Sequence, residues 1–258
     1  MDHDTFVIVT AYNEADLIEA TLGAVAAAFP SALVFVADDG SSDATPSLAR
    51  ACGARVVRSE WVIGKGGAAT LAARAALAAA REPAPGGAAE RSDRAAVFVL
   101  CDGDLGASAG ELAALAAAVA AGEADVAVAA FKRRVGGGVG LALGFARWAI
   151  RRRCGFVATA PISGQRALSE PALLDVLPFA HGFGMEIGMT VDAVRAGHRV
   201  REIELDLSHR ASGRTLAGFA HRAGQLLDFA RVYGTRGRLG RRLAARKVKL
   251  ARAGSVRP

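Results

Sequence analysis

The chain has 258 residues, 52% of them hydrophobic, which excludes a disordered chain and suffices to bury one substantial core. No stretch reaches the roughly 18 uncharged apolar residues that a membrane-spanning helix needs, and the acidic Met1-Asp2-His3-Asp4 start argues against a signal peptide. The formal charge of +7 is concentrated: nine basic residues and no acidic one lie between Arg236 and Arg257, leaving the remainder at −2.

The expected organisation is therefore one domain over residues 1–235 and a basic tail over 236–258. Such a tail suits anionic lipid, nucleic acid or only solvent, and a solvated terminus is the favoured reading; nucleic acid is not among the expected partners of the protein. Cys52, Cys101 and Cys154 are scattered, without zinc or disulfide spacing. The expected setting is cytoplasmic, with peripheral contact at the inner membrane face as the further possibility.

In chain order, Thr5 to Thr10 is a β-branched run suited to a fully buried strand. A helix is predicted from Glu14 to Ala28, stopped by Pro30. Leu33 to Ala37 is a second buried strand, ending at Asp38-Asp39-Gly40-Ser41-Ser42-Asp43. Ser42 or Asp43 caps the next helix, which runs to about Cys52 with Gly53 as its stop. Arg55 to Arg58 is a short third strand, and Gly66 to Glu82 is helical. Pro83 to Arg94 reads as a surface loop. Ala96 to Cys101 is a fourth strand, followed by a helix over Ser108 to Ala121 and a fifth strand over Asp125 to Ala130.

Beyond this point the pattern is less regular. Lys132 to Gly140 is a basic, glycine-rich loop and Leu141 to Arg153 a helix with a basic end. Pro161 to Leu168 contains a strand, Phe183 to Arg195 a helix, and Val200 to Leu207 alternates like an edge strand. A last helix is expected over Leu216 to Tyr233. Strands alternating with helices indicate an α/β fold with a single, mostly parallel sheet. Ligands of such sheets bind outside the carboxyl ends of the strands. There lie Ala11 to Glu14, Asp38 to Asp43 and Asp102 to Asp104, each set carrying carboxylates.

Asp102-Gly103-Asp104 directly follows a strand. Two carboxylates one residue apart share one hard cation, Mg²⁺ or Mn²⁺, which also binds a diphosphate; the competing reading is a helix-capping turn. His209 is either a further metal ligand or an exposed loop histidine, and Arg210 is suited to a phosphate. Asp39 and Ser41 offer acceptors to a base and ribose. Lys65 opens a helix and suits a phosphate contact, although the GxxxxGK[ST] spacing of a P-loop is absent. Glu186 lies in an apolar helical segment, either to orient an acceptor or act as a base, or to partner an arginine.

The set Thr10-Ala11-Tyr12-Asn13-Glu14, Asp38 to Asp43, Gly64-Lys65-Gly66 and Asp102-Gly103-Asp104 resembles the family 2 glycosyltransferases in order and spacing. The resemblance implies a GT-A fold, a Rossmann-like sheet flanked by helices. Ala11, Tyr12, Glu14 and Asp39 would surround the base, with Ser41, Lys65 and Gly103 completing the nucleotide-sugar site. Asp102 and Asp104 would hold the metal. The second half is similar to glucosyl-3-phosphoglycerate synthases, which are retaining. That likeness would put Gly137, Gly138 and Val139 at the acceptor, Glu186 near the sugar, and His209 at the metal. It also looks like polyprenyl-phosphate sugar transferases of the dolichyl-phosphate mannose synthase kind, through Ser163-Gly164-Gln165-Arg166 and His209 to Arg214. By that likeness Gly164, Gln165, Arg166, Arg210 and Arg214 would meet an anionic acceptor.

The expected activity is metal-dependent hexose transfer from a UDP- or GDP-linked donor to an anionic acceptor, catalysed with Glu186 and Asp104. The acceptor is a small phosphorylated acid or a lipid phosphate. A non-catalytic nucleotide-sugar binding module is the alternative. A nucleotidyltransferase is rejected because a glycine-rich basic loop does not follow the first strand, where Ala11-Tyr12-Asn13-Glu14 stands.

Overall fold

The computed structural model describes residues 4–82, 95–132, 141–180 and 184–207. Several expectations lie outside these residues: the 83–94 loop; Gly137, Gly138 and Val139; His209, Arg210 and Arg214; the 216–233 helix; and the 236–258 tail.

The elements run β1 (Thr5–Ala11), α1 (Ile18–Ala28), β2 (Leu33–Asp38), α2 (Thr45–Ala51), β3 (Arg55–Arg58), α3 (Lys65–Arg81) and β4 (Val97–Asp102). A 3₁₀ segment, Gly106–Leu112, follows. Then come α4 (Ala113–Ala120), β5 (Val126–Phe131), α5 (Leu141–Cys154), β6 (Arg166–Ser169), α6 (Glu170–Val176), α7 (Met185–Ala196) and β7 (Val200–Leu205).

All seven strands form one sheet in the order β3-β2-β1-β4-β6-β5-β7. Only β6 runs antiparallel, to both β4 and β5. The connection from β1 goes outward to β2 and β3, whereas β4 pairs on the opposite side of β1. The helix after β1 and the 3₁₀ segment after β4 pack together on one face of the sheet, whereas α3, which leads into β4, covers the other. The switch of direction at β1 is where such sheets open a ligand crevice. Thr10 is in register with Asp102 at that point.

Parallel strands need cover on both faces, which explains the unbroken apolar runs. Val7, Val9, Val99 and Cys101 pack under α1, α4 and the 3₁₀ segment. Phe6, Ile8, Phe98 and Leu100 pack under α3, α6 and α7. On α3, Ala68, Ala69, Ala72, Ala73 and Ala76 are all buried, and their small side chains let the helix lie close to the sheet. A smaller cluster joins α5 to α7 through Ala146, Ile150, Ile187 and Val191.

Three elements differ from the sequence reading. The first helix starts at Ile18, not Glu14, because the amides of Glu14 and Ala15 donate to Thr45 Oγ1 (2.8 Å) and an Asp43 carboxylate oxygen (3.1 Å). The segment after Asp104 is 3₁₀ before it becomes helical at Ala113. Helix α6 was not anticipated; Pro171 stands in its first turn and the Ser169 hydroxyl caps it, as helix starts favour.

Thr21 fixes the turn that carries the acidic pair. Its buried hydroxyl donates to the Gly103 carbonyl (2.8 Å) and accepts from the Gly106 amide (2.9 Å). Thr21→Val keeps the shape of the side chain but leaves both backbone groups unpaired. It is expected to cost about 1–3 kcal/mol of unfolding free energy, the usual penalty for orphaned buried groups. Urea denaturation measures it; an unchanged midpoint would show that the turn holds itself.

Candidate active site

One side of the candidate site is built from the ends of β1 and β2. Asn13 adopts a left-handed conformation (φ 54°), which asparagine tolerates better than most residues. Its amide donates to Ser41 Oγ (2.9 Å), and its Oδ1 accepts from the Ser42 amide (2.8 Å). The β1–α1 turn and the Asp38–Asp43 turn are thereby locked together. Ala11 accepts from the Asp39 amide at 3.0 Å, and Tyr12 stands exposed beside them. Gly103 is pressed against this corner: a Cβ there would lie 3.1 Å from the Thr10 carbonyl, 3.3 Å from Ala11 Cβ and 3.5 Å from Glu14 Cγ. The expected residues Ala11, Tyr12, Glu14, Asp39, Ser41 and Gly103 thus converge on one corner.

Asp39 has a backbone duty as well. Its carboxylate accepts from the Ile63 amide (2.7 Å) and the Gly64 amide (2.9 and 3.1 Å). Gly64, at φ 86°, is the residue that precedes α3, so Asp39 fixes where that helix begins. The position of Lys65, the first residue of α3, follows from it.

Lys65 spans the crevice. Its Nζ lies 2.7 Å from Asp102 Oδ1 and 3.0 Å from Glu186 Oε1. Burial opposes the charge on the ammonium, but the two carboxylates outweigh it and hold the lysine above its ordinary range. Burial likewise pushes Asp102 up. The Lys65 charge and the hydrogen bonds from Lys65, Thr10 and Gln165 more than reverse this, and the carboxyl is held below its ordinary value. Thr10 Oγ1 donates to Oδ1 at 3.0 Å and Gln165 Nε2 to Oδ2 at 2.8 Å. Gly164 completes the packing: a Cβ there would sit 2.6 Å from Lys65 Nζ and 2.9 Å from Asp102 Oδ2.

Gln165 and Gly164 therefore meet Asp102 of the acidic pair. Arg166 requires a correction. It was expected on an acceptor, yet it has no exposed surface and sits in β6 between Leu100 of β4 and Val128 of β5. Its Nε donates to the Ser163 carbonyl (2.9 Å) and one Nη to Thr190 Oγ1 (2.9 Å), which in turn donates to the Glu186 carbonyl (3.0 Å). The other Nη has no hydrogen-bond partner. Burial pulls the guanidinium down to about 10 against the opposing charges of Glu186 and Glu202. Arg166 is thus a cation behind the first turn of α7. Glu186 is buried, and the cation that partners it directly is Lys65, a lysine and not the expected arginine.

Glu202 on β7 accepts from the Thr159 amide (2.8 and 3.0 Å), the Thr159 hydroxyl and the Ala160 amide (2.9 Å). This anchors the strand-free stretch that leads into Gly164 and Gln165. Sequence reasoning missed Thr10, Asn13, Thr21, Thr190 and Glu202 as supports. Only Asn13 carried a local signal, an asparagine at a strand-to-helix turn.

For a divalent cation, the described residues offer Asp102 and the half-buried Asp104. Among those residues no group of three or more His, Cys, Asp and Glu is arranged to hold a metal, and His209 lies outside them. The donor set fits Mg²⁺ or Mn²⁺ all the same: hard carboxylate oxygens, with waters and phosphate oxygens left to fill the other positions.

The family model for glycosyl transferase family 2 matches residues 6–153, more than half of the chain. None of the curated proteins matches. Crystal structures of glucosyl-3-phosphoglycerate synthase from Mycobacterium tuberculosis share the fold. One is 25% identical, with a TM-score of 0.65, and covers 90% of this chain and 81% of that one. Another, in complex with Mg²⁺ and uridine diphosphate, is 26% identical with a TM-score of 0.63, covering 90% and 80%. A third, in complex with Mn²⁺, UDP-glucose and phosphoglyceric acid, is 25% identical with a TM-score of 0.65 and the same coverage. With the match spanning the strands that build the crevice, the chain belongs to glycosyl transferase family 2.

Proposed function

We propose that this glycosyltransferase moves a hexose from a UDP- or GDP-linked donor to a small phosphorylated acid, with Mg²⁺ or Mn²⁺ held by Asp102 and Asp104. The observation that carries the reading is the Lys65 ammonium held between Asp102 and Glu186 at the crevice of the sheet. The likeness to a synthase in complex with Mn²⁺, UDP-glucose and phosphoglyceric acid supports it.

In this reading the corner formed by Ala11, Tyr12, Glu14, Asp39 and Ser41 takes the nucleotide. A bound divalent cation would neutralise the departing diphosphate. Lys65 supplies a second positive charge for the same purpose, fixed in advance by its two carboxylates. Glu186, one lysine away from Asp102, would orient the sugar or the incoming acceptor oxygen. Thr10 and Gln165 hold the Asp102 carboxylate from both sides, so its orientation costs no reorganisation when the donor arrives. Gly137, Gly138, Val139, Arg210 and Arg214 would provide the acceptor's anion contacts, and His209 the third metal donor. Residues 1–235 would suffice for this chemistry, with 236–258 as an accessory tail.

The deciding experiment is a thermal-shift screen of UDP- and GDP-sugars with Mg²⁺ or Mn²⁺, since a ligand that binds only the folded state raises its melting temperature. Product assays with phosphoglycerate and with a polyprenyl phosphate then separate the acceptor classes. Turnover of the lipid alone would overturn the small-acid assignment.

Asp104→Ala is expected to weaken Mn²⁺-dependent donor binding at least about 100-fold, beyond the 10–100-fold that loss of an outer-shell partner costs. Calorimetry with the nucleotide sugar checks this; equal affinities with and without the side chain would remove Asp104 from the metal site. Gly164→Ala should retain the circular dichroism of the folded chain and lose about 100-fold in kcat/KM, because its methyl displaces Lys65 and Asp102 by up to an ångström. An unchanged kcat/KM would show that the pair need not be held so tightly.

A further inference from the structure

The outer surface of α5 and the stretch that follows it combines exposed apolar side chains with a one-sided charge. Of the exposed residues described on α5 and the stretch up to Ile162, Arg147, Arg151 and Arg152 are basic and none is acidic. The Glu202 carboxylate borders them at Thr159 and Ala160, from whose amides it accepts. Ala146, Ala149 and Ile150 turn α5 inward, and Ala146 and Ile150 pack with Ile187 and Val191 of α7. The opposite stripe therefore presents Arg147, Trp148, Arg151 and Arg152 to solvent. Trp148 is 51% exposed, and Val157 and Ile162 on the following stretch are 69% and 41% exposed.

These features adjoin one another. The Arg147 guanidinium donates to the Thr159 carbonyl at 2.9 Å, joining the helix stripe to the stretch that bears Val157 and Ile162. Phe156 and Ala158 join the α5–α7 cluster, which leaves Val157 between them facing away. Ile162 is two residues before Gly164, whose backbone lies against Lys65 and Asp102. The surface thus reaches the rim of the candidate active site.

We propose that this face docks the enzyme on an anionic phospholipid surface, with Arg151 and Arg152 at the headgroups and Trp148, Val157 and Ile162 entering the interface. Charge complementarity names the occupant. Neither Arg151 nor Arg152 has a carboxylate partner among the described residues. The chain's own C-terminal segment cannot neutralise them, since its nine basic residues and lack of acids make it repel this face. An amphipathic tryptophan flanked by arginines and exposed aliphatic side chains matches the chemistry of an interface, where the ring sits at headgroup level. A nucleic acid would use the arginines but leave Val157 and Ile162 without a role. The docking would hold whether the acceptor is soluble or lipid-linked.

The test is co-sedimentation of the full chain with vesicles of phosphatidylglycerol and phosphatidylcholine, against vesicles of phosphatidylcholine alone. Binding should require the anionic lipid and weaken with salt. A basic residue near such a surface is worth about fivefold in binding, so Arg151→Glu with Arg152→Glu should reduce binding at least about 25-fold. Trp148→Ser should reduce binding at high salt, where the electrostatic part is screened. Both variants should keep the wild-type circular dichroism and donor turnover. Arg241→Glu with Arg242→Glu serves as the comparison in the tail. Retention of vesicle binding by the α5 variants overturns the proposal, whatever the tail variant does. So does tighter binding of single-stranded RNA than of vesicles at equal salt, or a dimer that dissociates on Trp148→Ser.

Discussion

The candidate site depends on one electrostatic arrangement, an ammonium shared by two carboxylates that come from distant parts of the chain. Lys65 opens α3, Asp102 ends β4, and Glu186 stands in the first turn of α7. Any one of these charges would be costly in so enclosed a place without the others. Together they hold Lys65 protonated and Asp102 ionised. A fold optimised for stability alone would do as well with apolar residues of similar size. The retention of the charges is therefore better explained by what they do to a bound diphosphate than by what they do for the core.

The sheet topology makes that arrangement possible. Because β2 and β4 flank β1 on opposite sides, the turns after all three strands meet at one edge of the sheet, where the Gly103 amide donates to the Thr10 carbonyl at 2.9 Å. The turns themselves are then fixed by hydrogen bonds from neighbouring elements. Asn13 ties the first turn to the second, Asp39 ties the second to the start of α3, and Thr21 ties α1 to the turn after β4. The acidic pair thus gains a rigid setting from residues that never touch a ligand, which is what preorganised electrostatics requires.

The strands and the acidic sets at their ends were legible in the sequence, because buried parallel strands write themselves as short apolar runs and turn residues follow them. That Ala11, Tyr12, Glu14, Asp39 and Ser41 gather at one corner was legible for the same reason: they close β1 or follow β1 and β2. What could not be read was pairing across long separations. Nothing local to Lys65 announces Glu186, 121 residues later. Arg166 illustrates the limit best. An arginine in a Ser-Gly-Gln-Arg run reads as an exposed anion contact, yet the antiparallel insertion of β6 between β4 and β5 buries it completely. Neither the direction of that strand nor its central place is encoded in its own four residues. The start of α1 was misread because hydrogen bonds donated by the Glu14 and Ala15 amides to Thr45 and Asp43, not local propensity, decide the conformation there.

The distinction between an enzyme and a binding module turns on the same geometry. A module that only holds a nucleotide sugar needs complementarity to the ground state, which the Ala11–Ser41 corner and the acidic pair supply. It gains nothing from a buried glutamate whose helix turn is supported from behind by Arg166 through Thr190. Catalysis does gain, because only interactions that strengthen as charge develops lower the barrier. In the proposed reading Glu186 and Lys65, held 3.0 Å apart, would both be fixed before the donor arrives. There a carboxylate would offset positive charge growing on the sugar, and an ammonium the negative charge of the departing phosphates.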